Sequence, residues 1–323
     1  MMKTGLIPRD NTIDLLRAIA IIGICAAHTF SNGLILQMRS FDVPMMVFLS
    51  GLCYKTSACG YGTYVWKRFL RLIVPTWIFL TLYALICFFT GHPLLKKDLL
   101  EYFTLFTDWY VWIIRVFFTI ALLAPILIKA GNALGKIGFG IVSLIIICSL
   151  SFLKDLSASR LFQYTLTTIP YCLFFYFGHL SRSISSRGMG GISLASGLIF
   201  LAGAVYFYLK NQTFIPTWHF KYPPQLYYVS YAMACIGILF ILRQPVSRFL
   251  KRIYLARFFS FVGSHTLWLY FYHIIMLFAL KSISISSPIR FLSVFVGALL
   301  LTGIHNLVFK KIENKTIKAI FIG

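Results

Sequence analysis

Apolar residues fill this chain in about ten long stretches, most of them close to the roughly 20 residues that a helix needs to cross a bilayer. Short polar loops separate the stretches, so no second core can form outside them. The predicted spans are residues 13–35, 41–58 (short for a crossing), 69–90, 110–129, 134–153, 163–181, 190–209, 224–242, 260–280 and 290–309. The pattern predicts an all-α protein, a polytopic membrane helical bundle that forms one domain over residues 1–323.

Composition supports this class and excludes an ordinary soluble domain. Hydrophobic residues make up 59% of the chain and charged residues 12%, whereas charged residues make up about 25% of soluble domains. The first apolar run is too long for a cleaved signal peptide and lacks a small-residue cleavage site, so it is expected to remain as a helix. The seven cysteines show no Cys-x-x-Cys spacing, which argues against a disulfide framework or a zinc site. We expect no metal cofactor.

The formal net charge is +22, and its division between the two membrane sides predicts the topology. With a cytoplasmic N-terminus, nineteen of the 30 Lys and Arg residues fall in inner segments and nine in outer loops. This excess predicts both termini in the cytoplasm. Attraction to membrane lipid explains much of the inner charge, and an anionic cytoplasmic ligand is the alternative. Nucleic acid is not an expected partner.

Three polar residues lie on the first predicted helix: Asp14, Arg17 and His28. Charges within a membrane span are costly and usually functional. At 100° per residue the three can share one side of the helix, with Arg17 and His28 about 16 Å apart along its axis. A desolvated imidazole stays neutral, as a general base must be, which makes His28 the principal catalytic candidate. A buried histidine that bonds a neighbouring helix is the structural alternative. Arg17 and Asp14 are the other catalytic candidates, and pairing would lower the cost of burying them.

A basic turn lies just before Pro75, at the predicted start of the third span. It contains Lys67, Arg68 and Arg71. The two arginines face one way on a helical turn, and guanidinium groups suit phosphate oxygens. The turn is therefore a candidate site for the phosphates of a nucleotide-like donor such as coenzyme A. An ordinary positive-inside anchor is the alternative.

Candidates for substrate binding lie further along the chain: Trp112, Arg115, Tyr222 and His273. Tyr222 belongs to an aromatic and proline-rich outer loop, residues 214–228, whose rings could stack on sugar faces or form an interfacial belt. Arg115 either snorkels to the surface or points into the bundle as a counter-charge. His273 is a second histidine within a span, where interhelical packing is the common role.

Taken together, these blocks resemble the integral-membrane acyltransferase family 3. The resemblance rests on Asp14-Leu-Leu-Arg17 with His28, Phe41-Asp-Val-Pro-Met-Met-Val-Phe-Leu-Ser-Gly51, Lys67-Arg68 with Arg71 and Pro75, Trp112, and Leu269-Tyr270 with His273. It implies a bacterial inner-membrane protein of ten or so helices. Such a protein moves an acetyl group from cytoplasmic acetyl-CoA to a hydroxyl of a surface polysaccharide such as lipopolysaccharide O-antigen. By the same resemblance, Arg17, His28, Arg68 and Arg71 match the family's functional residues, and the chain is of the type without an extracytoplasmic esterase-like domain.

Two mechanisms and two other function classes stay open at this point. His28 could deprotonate the acceptor hydroxyl, or it could carry the acyl group transiently. Alternatively, the chain could be a transporter or lipid-linked sugar flippase in which Asp14, Arg17 and His28 relay protons. A structural partner in a polysaccharide-export complex is the third class.

Overall fold

The structure is a computed structural model, and it describes residues 10–55, 60–156 and 159–322. Helices account for nearly all of the regular structure in these ranges, which contain no β-strand. The helices are α1 Asn11–Thr29, α2 Gly33–Met38, α3 Asp42–Leu52, α4 Tyr61–Phe89, α5 Lys96–Phe103, α6 Trp112–Leu153, α7 Arg160–Leu180, α8 Ser186–Asn211, α9 Leu226–Arg252, α10 Ala256–Ser264, α11 Thr266–Ala279, α12 Ser287–Phe309 and α13 Lys315–Phe321. The all-α prediction is confirmed.

Six of the described helices are long and apolar enough to cross a membrane: α1, α4, α6, α8, α9 and α12. The bent pair formed by α10 and α11 would make a seventh. Helix α6 has 42 residues, so its length of about 63 Å is roughly twice the thickness of a hydrocarbon core. Left-handed backbone at Gly135 (φ 66°) divides it into two helices. The prediction of ten spans stays a prediction, as does the location of the termini.

Helix α1 lies at the centre of the bundle and contacts α3, α9, α10, α11 and α12. It begins at an N-cap, where Asp10 accepts a hydrogen bond from the Thr12 backbone N–H. It ends at Thr29, so the prediction of one continuous span over residues 13–35 is wrong. The physical reason is Asn32, which caps a separate helix by accepting from the Leu34 N–H at 2.8 Å. His28 consequently lies in the last turn of α1.

The predicted span 260–280 is also divided, at His265, where α10 and α11 meet at a bend of 83°. The Ser264 hydroxyl and the Phe261 carbonyl oxygen both lie 2.9 Å from His265 Nδ1. The His265 side chain therefore provides hydrogen-bond partners for polar groups at the break between the two helices. Because of this bend, α10 packs against the start of α1. A Cβ atom on Gly263 would overlap the Asp14 carbonyl oxygen, so glycine is required at that contact.

Candidate active site

One end of α1 carries an ion pair. Arg17 Nη1 lies 3.5 Å from Asp14 Oδ1, one helical turn earlier, and the Asp14 side chain is buried. Arg17 Nη2 also donates to Cys53 Sγ at 3.4 Å, just beyond the end of α3. The Arg17 side chain stays 30% exposed. Its guanidinium therefore keeps donors for a ligand while Asp14 balances its charge.

A second arginine binds the same end of α3. Arg182 follows α7 and donates through Nε to the Leu52 carbonyl at 2.7 Å. It also donates through Nη2 to the Tyr54 carbonyl. These are the carbonyls that the end of a helix leaves without intrahelical partners. Arg182 thus fixes the segment against which Arg17 rests.

Helix α4 brings two further arginines to this region. Arg68 lies over the Tyr64 ring, with Cζ 5.3 Å from the ring centroid, and its charge interacts with Tyr54. Arg71 follows one turn later on α4 and interacts electrostatically with Arg68. Lys67, next to Arg68, is exposed. We call Arg17, Lys67, Arg68, Arg71 and Arg182 the basic cluster.

The other end of α1 carries two histidines side by side. The rings of His28 and His273 lie with centroids 5.5 Å apart, and Tyr110 meets His28 edge-on at 4.8 Å. His273 is fully buried and its Nδ1 contacts the Tyr270 carbonyl oxygen. His28 contacts these neighbours but keeps an exposed surface. We call His28, Tyr110, Tyr270 and His273 the histidine cluster.

Two cations interact electrostatically with His28: Arg39 and Lys221. Arg39 Nη1 donates to Asp42 Oδ2 at 3.1 Å, and the Asp42 side chain is fully buried. Lys221 is buried and its ammonium contacts two aromatic rings, with Nζ 5.5 Å from the Trp112 centroid and 5.3 Å from the Tyr222 centroid. Two positive charges, those of Arg39 and Lys221, therefore act on the histidine cluster, and Asp42 balances that of Arg39.

A cavity of about 420 Å³ opens beside these rings. Its lining is mixed aromatic and polar: Asp108, Trp112, Arg115, Lys154, Gln163, Tyr164, Leu166, Thr167, Tyr222 and Pro223. Trp112 and Tyr222 meet edge-on at 5.4 Å. Arg115 stacks on Tyr164 at 3.7 Å and donates to the Leu105 carbonyl at 2.8 Å, so it points into the bundle's polar pocket and has a fixed orientation. Lys221 contacts two rings of this cavity, Trp112 and Tyr222, and its charge acts on His28.

The basic cluster and the histidine cluster are linked by α1. From Arg17 to His28 the helix rises about 16 Å. One end offers several guanidinium groups, which suit phosphate, and the other offers an accessible imidazole beside a cavity with aromatic walls. Such a site can hold an extended anionic donor at one end and transfer a group at the other.

A protein-family model matches most of this chain. The model of the acyltransferase 3 family, described as an acyltransferase domain, matches residues 10–306. The chain belongs to the acyltransferase 3 family. It is accordingly an acyltransferase enzyme, and its apolar helices make it a multi-pass membrane protein. Comparisons with curated proteins and with solved structures gave no match.

For this acyltransferase, the structure divides the predicted site residues into groups. Asp14 and Arg17 pair at one end of α1, and Arg68 and Arg71 lie together on α4. The four substrate-binding candidates separate: Trp112, Arg115 and Tyr222 line the cavity, whereas His273 is buried next to His28. Helix α4 begins at Tyr61, so Lys67, Arg68 and Arg71 lie within the helix and not at its start.

Three other residues of the candidate site were not predicted from the sequence: Arg39, Lys221 and Tyr110. Arg39 and Lys221 were counted only as outer-loop charges, although the i, i+3 spacing of Arg39 and Asp42 and the aromatic neighbours of Lys221 were available signals. Tyr110 carried no signal beyond its aromatic surroundings. No group of three or more His, Cys, Asp or Glu side chains could hold a metal ion within the described ranges, and the absence of a metal cofactor stays a prediction.

Proposed function

We propose that this enzyme moves an acetyl group from cytoplasmic acetyl-CoA to a hydroxyl of a cell-surface polysaccharide, such as lipopolysaccharide O-antigen, in the bacterial inner membrane. The observation that carries the proposal is the division of α1 between the basic cluster and the histidine cluster. The charge count of nineteen inner against nine outer Lys and Arg residues supports a cytoplasmic position for the basic cluster and for both termini.

The donor binds through its phosphates at the basic cluster. Arg68 and Arg71 supply guanidinium forks one helical turn apart, and Lys67 adds a point charge. Arg17, held by Asp14 and Cys53, takes the next position along the donor. The thioester arm then follows α1 toward His28.

His28 acts as the general base. It takes the proton of the acceptor hydroxyl while the hydroxyl oxygen attacks the thioester carbonyl carbon. The C–S bond breaks, the new C–O ester bond forms, and the coenzyme A thiolate leaves and takes up the proton from His28. No other reactant is required.

His273 is a positioning residue for this step. The Tyr270 carbonyl can only accept, so the Nδ1 that contacts it carries the proton in neutral His273. Its buried Nε2 has no hydrogen-bond partner and is then an acceptor beside His28. An N–H of His28 turned toward this atom would leave the other His28 nitrogen free as the base.

The second route makes His28 a transient acetyl carrier. In that route His28 attacks the thioester first, and the acceptor hydroxyl then attacks the acetyl-imidazole. Both routes need an accessible His28. Incubation with labelled acetyl-CoA in the absence of acceptor, followed by mass spectrometry of the protein, distinguishes them, because only the second route gives an acetylated His28.

The acceptor sugar binds in the cavity. Trp112 and Tyr222 offer faces for the apolar side of a sugar ring, and Arg115 offers hydrogen-bond donors. Lys221 contacts Trp112 of the cavity and acts electrostatically on His28, which supports the proposal that a sugar held in the cavity presents a hydroxyl to the base.

The function is tested by the O-acetyl content of surface polysaccharide, measured by proton NMR in cells with and without this protein. The proposal expects O-acetyl signals only in cells that contain it. Identical spectra would overturn the proposed acceptor class.

Donor binding is tested separately by thermal unfolding of the purified full chain with coenzyme A. A ligand present at 100 times its Kd stabilises the folded state by about 2.7 kcal/mol. We expect this stabilisation in the wild type and its loss in Arg68→Ala/Arg71→Ala. The matched control is Arg248→Ala/Arg252→Ala, two exposed arginines near the end of α9. Equal coenzyme A stabilisation in both double variants would remove the basic cluster from donor binding.

A further inference from the structure

Lys221 is an unusual lysine, because it is buried in a loop. Only 8% of the residue is exposed. It follows the short 3-10 helix Thr217–Phe220, and its ammonium lies over Trp112 and Tyr222. Lysines are almost never buried without a partner, because water solvates the ammonium strongly. The charges and rings around Lys221 therefore indicate which kind of ligand its ammonium could bind.

No carboxylate among the described residues pairs with Lys221. The ion pairs in those ranges are Arg17–Asp14, Arg39–Asp42 and Arg160–Glu101. Arg39 also acts on His28, but it has its own buried carboxylate, Asp42. The aromatic contacts of Lys221 offset only part of the free-energy cost of burying an ion.

The adjoining cavity has the same excess of positive charge. Arg115 and Lys154 line it, and Asp108 is its one lining carboxylate among the described residues. The charge of Asp108 acts on Arg115, and one carboxylate is fewer than the cations it would have to balance: Arg115 and Lys154 in the lining and Lys221 next to Trp112 and Tyr222. A cavity of this kind favours an anionic ligand over a neutral one.

We propose that the acceptor sugar carries an anionic group, a carboxylate or a phosphate, which pairs with Lys221 while the target hydroxyl lies at His28. The inference rests on the proposed function and narrows its acceptor class to acidic glycans. The pairing supplies a counter-charge to this largely buried lysine. It also orients the sugar, because Lys221 contacts the Trp112 and Tyr222 rings of the cavity and acts electrostatically on His28. Trp112 and Tyr222 then hold the ring.

The test uses thermal unfolding of the full chain in detergent with three sugar probes: methyl glucuronoside, glucose 6-phosphate and methyl glucoside. The first two carry the carboxylate and the phosphate, and the third has neither. The variants are Lys221→Met, which keeps an unbranched side chain one atom shorter and removes the charge, and Lys221→Arg, which keeps the charge. The matched control is Lys210→Met, an exposed lysine in the last turn of α8.

We expect at least one anionic sugar to stabilise the wild type and Lys210→Met, and the neutral glucoside to stabilise them much less. Lys221→Met should weaken the anionic sugar's affinity roughly 10- to 100-fold, and Lys221→Arg should restore most of it. The arm that responds tells carboxylate from phosphate. Equal stabilisation by charged and neutral sugars, an unchanged affinity in Lys221→Met, or no stabilisation by either anionic sugar would overturn the inference.

Coenzyme A keeps this result distinct from the proposed function. Its stabilisation of Lys221→Met shows that the variant is folded and binds donor. If that stabilisation persists while the sugar results fail, only the acidic-acceptor inference falls.

Discussion

The ion pair of Arg39 and Asp42 next to the histidine cluster gives a sharp quantitative prediction. Asp42 Oδ2 accepts from Arg39 Nη1 at 3.1 Å, and Oδ1 accepts from the Val43 N–H at 2.6 Å. The Asp42 side chain is fully buried and that of Arg39 is 17% exposed. Asp42→Asn keeps the shape and the bond to Val43 but removes the charge. Arg39 is then an unbalanced buried cation that, like Lys221, acts on His28.

The magnitude follows from burial. Loss of one partner of a buried pair costs about 3–5 kcal/mol, because the other charge stays buried without compensation. The chain contains an exposed pair for comparison, Arg160–Glu101, also at 3.1 Å, with side chains 65% and 27% exposed. Such pairs contribute about 0–1 kcal/mol. Glu101→Gln is therefore the matched control.

The assay is thermal unfolding of the purified full chain in one detergent. We expect Asp42→Asn to lower the apparent melting temperature several times more than Glu101→Gln does. The double variant Arg39→Met/Asp42→Leu should recover much of the loss, because it leaves no buried charge. Equal effects of Asp42→Asn and Glu101→Gln, or no recovery in the double variant, would refute the reasoning from burial.

Two further predictions concern contacts that support the basic cluster. Gly263→Ala should destabilise the protein by about 1–3 kcal/mol, because its Cβ would overlap the Asp14 carbonyl oxygen. Gly303→Ala, whose Cβ would meet nothing within 4 Å, should be neutral or slightly stabilising in the same melting assay. Arg182→Ala should weaken coenzyme A binding and lower the melting temperature, because the carbonyls at the end of α3 lose their donor. The exposed Arg187→Ala should leave both unchanged, and similar results for the two arginine variants would contradict the role of Arg182.

Much of the fold could be predicted because the lengths of the apolar segments can be read from the sequence. The all-α class follows from it, and each predicted span overlaps a helix of the structure. The breaks at residues 30–32 and at His265 could not be predicted from hydropathy. They depend on side chains such as Asn32 and Ser264 that bond local backbone or neighbouring polar groups while the sequence around them stays apolar.

The candidate site was predictable where its residues repeat at helical spacing. Asp14 and Arg17, and Arg68 and Arg71, are three apart and do interact. Contacts between distant segments were not predictable in the same way. Lys221 meets Trp112 across more than a hundred residues, and His273 meets His28 across the bundle. Only the tertiary arrangement of α1, α6 and α11 with the loop before α9 brings them together.

The central claim is that His28 serves acetyl transfer from acetyl-CoA, and one measurement tests it most directly. Membranes containing the protein are given radiolabelled acetyl-CoA, and the label that enters surface polysaccharide is counted for the wild type, His28→Ala and the exposed control His92→Ala. At equal protein levels, the account predicts a loss of about 10²- to 10⁴-fold in His28→Ala, the usual contribution of a general base, and full activity in His92→Ala. Wild-type transfer by His28→Ala would contradict it.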